Sequence, residues 1–562
     1  MESLSKEQQE TITNLIKNQN FAVLEFELER IIQKNDTPFL LNLLGVSKIQ
    51  KKSANKEDAI EAQKLFKRSY EKDKNFKDAL LNYTRISIKL MEDSTHISKA
   101  LEMLKEHDEK NKYDHKVTLL MADLNFYLSN ANESILNIKK VIENNDATHQ
   151  NWINFLYSIQ YTNLFTQVEY IDFCKKFYDK IERFEDNNLH SINLEESPMK
   201  LRIGFFSADF RNHSVTRFLE EVLKYLKLEN KFEIIAFNNS PIKNEDTITK
   251  KLKNIFDEWY ELKSLKDLEA INLIRDNKIN ILFDLVGFSK GTRPAIFKNR
   301  SAPIQISWIG YCNTQGIKEI DYIIADDHLI ENEQEKFYEE KVIKLPNIWS
   351  AHSPINFDIE ISELPCIKNK YFTFGSFNNF IKISEETIEL WCKILKNNIN
   401  SKLILKSSTY DLTENLINKF SKYGADIKNI TFLKRDESMI DHLKKYNLID
   451  LCLDTIPYSG VTTNIEAAWM GVPTLTLKGD IFLYRCGASI NKNIKLDQFV
   501  VNNKDEYVNK ASEISKNFQE LSNIRKSIRK NLIESPVFDN KGLVKNLSNI
   551  LLQKWKENKD KK

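Results

Sequence analysis

What the chain has little of narrows its class first. Its 562 residues hold only six cysteines, 13 glycines and 11 prolines. Cys174, Cys312, Cys366, Cys392, Cys452 and Cys486 lie far apart, and no two form a Cys-x-x-Cys pair. A zinc site or a dithiol redox motif is therefore not expected. Several of these cysteines sit inside apolar runs, as buried free thiols do. No stretch approaches the roughly 18 uncharged apolar residues that a membrane span needs. The first ten residues, Met1-Glu-Ser-Leu-Ser-Lys-Glu-Gln-Gln-Glu10, have no apolar core of a signal peptide. A reducing, cytoplasmic setting is the expectation. An excess of one charge is missing too: 82 basic and 80 acidic residues leave a formal charge of +2. That balance argues against nucleic acid or a membrane surface as partner. Finally, no Asp-x-Asp sequence occurs, so the usual carboxylate pair for a divalent ion at a diphosphate is lacking, and neither a metal nor another cofactor is expected.

What is present reads as a soluble globular chain, 41% hydrophobic and 29% charged, with room for three domains. Residues 1–195 form helix after helix, with apolar positions at three- and four-residue steps. Leu41-Asn-Leu-Leu-Gly45, Ala79-Leu-Leu-Asn-Tyr83, Thr118-Leu-Leu-Met-Ala122 and Trp152-Ile-Asn-Phe-Leu156 recur at a spacing in the mid-to-upper thirties. That is near the roughly 34-residue period of tetratricopeptide helical hairpins, and Ala62 and Phe66 keep that repeat's alanine-to-phenylalanine step. The competing reading is an irregular helical domain. Either would hold a protein or brace the next domain.

At Pro198 the character changes to strands alternating with helices. Strands are expected near 201–207, 232–237, 279–286, 304–308, 322–325 and 341–345. Pro346, Pro354 and Pro365 mark a linker. Further strands are expected from Tyr371 and near 402–406, 429–433, 449–453 and 473–477. Alternation of this kind predicts parallel, doubly wound sheets. The domains are set at 1–195, 196–358 and 359–562.

The most informative stretch runs from Asp454 to Gly479. A short apolar strand precedes it, and Pro457, Ser459 and Gly460 break that strand. Thr462 or Thr463 is expected to cap a helix ending near Met470, where Gly471 and Pro473 stop it. A glycine loop entering a helix presents free N–H groups and the positive end of the helix dipole, which suits a diphosphate. Glu466, one turn on, can accept from ribose hydroxyls. The plainer reading is an ordinary capped turn that binds nothing.

Other blocks follow in order: Leu201-Arg-Ile-Gly204, Asp209-Phe210, His213-Ser214, Gly287-Phe-Ser-Lys-Gly-Thr-Arg293, Arg300 to Tyr311, Asp321-Tyr322, Phe374-Gly-Ser-Phe-Asn-Asn379, Lys382 and Ser535-Pro536. Together with the glycine loop they resemble the protein O-GlcNAc transferase and SPINDLY family, glycosyltransferase family 41, over roughly residues 200–555. The resemblance implies an α/β catalytic part of GT-B type: two Rossmann-like domains facing across a cleft, here preceded by the helical-repeat domain.

It also implies site residues. His213, in a loop after the first strand, matches a histidine at the reaction centre, as general base or acceptor-orienting group, with Asp209 placed to orient it. Lys382 matches a lysine that stabilises the leaving diphosphate. Asn379 matches a glutamine on the nucleotide, and His442 a histidine packing on the nucleobase. Gly460, Thr462, Thr463 and Glu466 match the phosphate and ribose loop, and Gly310 and Tyr311 the turn of the sugar pocket. Against this stand a capping role for His213 and a solvated role for Lys382.

Departures from the O-GlcNAc transferase pattern are Val461 and Asn280 in place of histidines, Met439 in place of a lysine and Cys312 in place of a proline. Asn378-Asn379 and Pro457-Tyr458 are closer to the SPINDLY branch, which uses GDP-fucose. The reading is an inverting, metal-independent transferase moving GlcNAc from UDP-GlcNAc, alternatively fucose from GDP-fucose, to Ser or Thr of acceptor proteins held by the helical arm. N-glycosylation and a non-catalytic scaffold are the remaining alternatives.

Overall fold

The computed structural model describes residues 4–90, 94–184, 199–240, 245–406 and 412–560. The change of character placed at Pro198, and the domain boundary at 195/196, lie outside the described residues. The chain forms two compact units, Met1–Ala147 with Ser407–Lys422, and Thr148–Lys406 with Tyr423–Lys562.

The first unit is helical. Its main helices are α1 (Lys6–Lys17), α2 (Phe21–Ile32), α3 (Pro38–Gln50), α4 (Lys56–Lys72), α5 (Lys77–Leu90), α6 (Ser94–Lys110), α7 (His115–Tyr127) and α8 (Ala131–Glu143). Polar caps start several of them. Ser5 and Asn55 form capping boxes, Thr37 caps α3 with Pro38 at the first helical position, and Asp114 caps α7. Three of the four recurring segments fall on α3, α5 and α7, the first helices of the hairpins α3–α4, α5–α6 and α7–α8. Gly45 shows what the repeat demands: a Cβ there would lie 2.6 Å from the Phe66 ring. The bare glycine lets α4 close on α3, and Ala62 and Phe66 are fully buried in that seam.

The second unit opens with α9 (His149–Ser158) and α10 (Gln167–Tyr178) and continues into two parallel sheets. The first sheet comprises β1 (Leu201–Ser207), β2 (Phe232–Asn238), β3 (Glu258–Glu261), β4 (Ile281–Asp284), β5 (Ile304–Ser307), β6 (Tyr322–Ala325) and β7 (Lys341–Lys344), in the order 3-2-1-4-5-6-7. The second comprises β8 (Phe372–Ser376), β9 (Ser401–Lys406), β10 (Ile430–Leu433), β11 (Leu451–Leu453), β12 (Thr474–Leu477) and β13 (Val500–Val501), in the order 10-9-8-11-12-13. Every strand pair is parallel, and β4, β5 and β6 are buried along their whole length, as apolar strands covered on both faces must be. Both orders reverse direction at the strand pairs β1/β4 and β8/β11, where open α/β sheets leave a crevice for ligands.

Two strands were not expected. Edge strand β3, Glu258-Trp-Tyr-Glu261, is polar and partly exposed, and β13 is two residues long; neither carries a buried-strand signature. The linker from Pro346 runs without regular structure to Leu364, and Pro365 begins a short helix.

Helices α9 and α10, counted with the arm in the sequence, pack on the loops of the sheets. Phe177 is fully buried, with Trp152 stacked at 6.4 Å and Phe288, in the loop after β4, at 5.9 Å. Tyr170 Oη lies 2.8 Å from Tyr311 Oη, and the Tyr161 ring lies 4.8 Å from the Tyr458 ring. Phe177→Ala should therefore cost about 3–5 kcal/mol of unfolding free energy, whereas Phe26→Ala, at a side chain that is 62% exposed, should cost under roughly 0.5 kcal/mol. Equal shifts in urea midpoint would contradict this placement of α10.

Candidate active site

The loop after β11 is built around one carboxylate. Asp454 is buried, and its two oxygens accept from Gly460 N at 2.7 Å, Thr455 N at 3.0 Å, Thr476 Oγ1 at 2.8 Å, Asn464 Nδ2 at 3.1 Å and Asn378 Nδ2 at 3.4 Å. Burial pushes its pKa up against those bonds. Gly460 has no room for a side chain, since a Cβ would stand 2.5 Å from Asn464 Oδ1 and 2.6 Å from Thr463 Oγ1.

The helix that follows, Thr462–Trp469, starts differently from expectation. Its N-cap is Val461, which has no capping oxygen, and Thr462 and Thr463 occupy the first helical positions. The Thr463 hydroxyl is drawn elsewhere: it donates to Asn378 Oδ1 at 2.8 Å, across from the loop after β8. The first amides of this helix therefore have no side-chain cap, and among the described residues none accepts from Thr462 N or Thr463 N. Such a terminus carries an unneutralised positive end.

Lys382 stands beside that loop. Its Nζ donates to Ser459 O at 3.2 Å and lies 3.8 Å above the Tyr458 ring. The side chain is half-buried and forms no ion pair among the described residues. Burial pushes its ammonium down to about 8, opposed by the field of Asp454. Asn379, three residues before, accepts Ile381 N at 3.2 Å and caps the turn that carries Lys382.

His213 caps α11 (Ser214–Leu228), its Nδ1 accepting Val215 N at 3.4 Å and lying 3.7 Å from Asp209 Oδ2. The capping role and the proximity to Asp209 thus coexist at one nitrogen. Burial lowers the histidine's pKa below its ordinary value, Asp209 opposing and Arg211 and Arg217 assisting. That direction favours the neutral ring. Asp209 is itself held by Arg211 Nη2 at 2.9 Å.

Glu466 is almost fully enclosed. Oε1 accepts Arg217 Nη1 at 2.7 Å, while Oε2 meets His442 Nε2 at 3.1 Å and Tyr446 Oη at 3.4 Å. Burial pushes this carboxyl up, but His442 and Arg217 outweigh it and hold the pKa below the usual range. His442 Nδ1 faces Lys406 Nζ at 2.8 Å, and its ring packs 6.0 Å from Phe377.

Thus Lys382, Asn379, Gly460, Thr462 and Thr463 converge on the β8 and β11 loops, with Glu466 and His442 one turn on. His213 and Asp209 sit at the end of β1. Gly310 lies in the turn after β5, where a Cβ would meet Leu285 O at 1.7 Å. The Tyr311 hydroxyl is committed to α9 and α10, bonding Tyr170 Oη and Leu156 O, the latter at 3.3 Å. The sequence reading missed Arg217, one turn beyond His213, and Tyr458 as the ring under Lys382. An arginine in a helix reads as a solvated charge, and nothing local signals its reach to Glu466. Among the described residues no group of three or more His, Cys, Asp or Glu side chains is placed to hold a metal ion.

Comparison with known proteins agrees with this layout. The model of the family described as glycosyl transferase family 41 matches residues 172–353 and 363–547. The probable UDP-N-acetylglucosamine--peptide N-acetylglucosaminyltransferase SPINDLY of Solanum lycopersicum is 29% identical over 363 residues, 63% of this chain and 39% of that protein. A protein of the same description from Arabidopsis thaliana is 28% identical over 372 residues, 65% of this chain and 40% of that protein. The chain thus spans about 40% of the length of these curated relatives. A solved structure of a mutant Thermobaculum terrenum O-GlcNAc transferase superposes with a TM-score of 0.76 at 22% identity, covering 93% of this chain and 98% of that one. That likeness establishes the shared fold: a GT-B pair of sheets with a helical-repeat region.

The carboxylate at the centre of the loop gives a direct test. Asp454→Asn keeps the shape but puts an NH2 in place of one carboxylate oxygen, facing either Gly460 N–H or the Thr476 hydroxyl, and leaves buried donors unmatched. Unfolding free energy should drop by about 2–4 kcal/mol in chemical denaturation. A wild-type midpoint would show that the loop does not depend on this carboxylate.

Proposed function

Because the chain belongs to glycosyl transferase family 41, we propose that it is an inverting, metal-independent transferase that moves a sugar from a nucleotide donor to Ser or Thr hydroxyls of acceptor proteins. The observation that carries this reading is the convergence of one unpaired ammonium and one uncapped helix start on a single loop. Lys382 reaches Ser459 O, and the open amides of Thr462 and Thr463 follow within four residues. A cation plus aligned N–H groups neutralise a departing nucleoside diphosphate without a divalent ion.

In the reaction the acceptor oxygen forms a bond to the anomeric carbon as the carbon–oxygen bond to the diphosphate breaks. His213 Nδ1 accepts Val215 N in this structure, which leaves the proton of a neutral ring on Nε2. His213 Nε2 takes the acceptor proton only after a change of tautomer in which Nδ1–H gives up that cap and turns to Asp209. The electron pair of the broken bond stays on the diphosphate, facing Lys382 and the helix start. Glu466 and His442 take the ribose and base, Asn379 lies beside them, and Gly310 and Tyr311 shape the sugar pocket. Acceptor proteins are assigned to the helical repeats.

UDP-GlcNAc is the first donor to test, on the strength of the descriptions of the relatives, and GDP-fucose the second. Incubation with a panel of radiolabelled nucleotide sugars should give transfer to protein from one of them, undiminished by excess EDTA. Turnover lost on chelation and restored by manganese would remove the Lys382 mechanism. Failure of every donor would favour a scaffold.

The pH profile supplies a second check. Protonation of His213 should lower kcat/KM as pH falls below the ordinary histidine value of about 6.5. Deprotonation of Lys382 should lower it as pH rises through about 8. Saturating donor should flatten the alkaline limb, since the bound diphosphate favours the charged ammonium. Lys382→Ala should cut turnover roughly a hundredfold. An alkaline limb that survives in Lys382→Arg would assign it to another group.

A further inference from the structure

Arg217 belongs to the first sheet's side of the unit, on the first turn of α11, four residues after His213. Glu466 belongs to the second, on the helix that follows β11. The two meet at 2.7 Å, with Glu466 nearly inaccessible and Arg217 about one-third exposed. The second guanidinium nitrogen lies 4.0 Å from Met439 Sδ, on the helix that also bears His442. The carbonyl of Arg217 is fixed by Ser353 N at 2.6 Å, so the backbone behind the side chain is held as well.

An ionised carboxylate offers about four acceptor sites. In Glu466 three are engaged, by Arg217, His442 and Tyr446, which leaves one on the oxygen that faces Arg217. A buried carboxylate without a cation would take up a proton, and a protonated carboxyl would no longer be a pure acceptor. Two partners prevent this: His442 on the same side, and Arg217, the one that comes from the opposite sheet. From this geometry we propose that Arg217 is a positioning residue for the donor: it reaches across from the sheet that carries His213 and fixes the Glu466 carboxylate as an acceptor for the ribose diol. The proposal rests on the assignment of Glu466 to ribose made above. Its further content is that the acceptor-side helix α11, capped by His213, also completes the donor site.

Other charged and titratable groups face Glu466. His442 and Tyr446 come from the segment Met439–Leu448, with Lys406 and Asp436 behind His442, and His352 comes from the linker. Burial lowers His352 to about 4, so it stays neutral above pH 5. All of these, and Lys382, are common to wild type and to an Arg217 variant. A ratio of the two proteins' affinities therefore isolates the effect of Arg217.

The test is the dissociation constant of UDP or GDP, whichever the wild-type protein binds more tightly, measured by calorimetry from about pH 6 to pH 9, a span that reaches the range of a buried carboxyl that has lost one of its partners. For Arg217→Met the ratio to wild type should be roughly ten- to a hundredfold at the acid end, one charged hydrogen bond's worth, and should shrink as pH rises and Glu466 ionises unaided. For Arg217→Lys, which keeps a cation, the ratio should stay within a few-fold throughout. Glu466→Gln should weaken binding by a similar factor at every pH. If Glu466→Gln weakens binding but the Arg217→Met ratio is near one or does not change with pH, Arg217 is only a structural tie and the proposal fails alone. If Glu466→Gln binds like wild type, the ribose assignment fails and the proposal with it.

Discussion

A buried carboxylate at the end of the reversal strand organises each sheet. In the second sheet it is Asp454, just past β11, which gathers the amide of Gly460, the hydroxyl of Thr476 and the side chains of Asn378 and Asn464. In the first it is Asp284, the last residue of β4, which takes Val286 N at 2.8 Å, Gly287 N at 3.1 Å and Gln315 Nε2 at 2.7 Å. β4 and β11 hold the same place in their sheets' orders. Burial raises both pKa values, and the donors around each carboxyl, joined at Asp454 by the field of Lys382, oppose that rise. Their bonds tie the loops at the two points where a crevice opens. Glycine completes the arrangement. At Gly487 a Cβ would stand 2.5 Å from Asp454 Oδ2, so the next helix closes directly on the carboxylate.

That next helix, Phe482–Asn493, also joins the two sheets. Ser489 Oγ donates to Asp326 Oδ2 at 2.7 Å, Arg485 Nη2 lies 2.6 Å from Glu331 Oε1, and Phe482 N donates to Tyr338 Oη at 3.1 Å. Arg485 is buried to 1% exposure, so its charge is spent on these partners. On the opposite flank the tie is the Arg217–Glu466 pair. Among the described residues, Lys382 and the uncapped helix start are left without a full set of partners.

The α/β core was legible because its strands are apolar throughout and its breaks fall at Gly, Pro and Asn. Leu201–Ser207, Phe232–Asn238 and Tyr322–Ala325 lie within a residue of where the pattern put them. The weak strands were not legible: Glu258–Glu261 carries two glutamates and Val500–Val501 is too short to show a period. Propensity favours Thr462 or Thr463 as the cap, but a tertiary bond from Thr463 to Asn378 overrides it. The helical period was visible in Leu41, Ala79, Thr118 and Trp152, yet the same period runs through α9 and α10, which join the sheets. Periodicity tells which face of a helix is buried and not what buries it. Arg217 fails for a related reason: its partner is 249 residues away in sequence.

The hairpin α9–α10 has a practical meaning for anyone dividing this chain. Tyr170 and Leu156 hold the turn after β5 through the Tyr311 hydroxyl, and Phe177 fills the space beside Phe288. The last repeat by sequence is thus the first layer of the catalytic module by packing. The unit that holds both sheets begins at Thr148, while Ser407–Lys422 belongs with the repeats. A chimera joined after residue 195 would inherit a foreign hairpin and have to rebuild the floor under Tyr311, whereas one joined before Thr148 leaves that floor whole but must carry over the repeats' contacts with Ser407–Lys422.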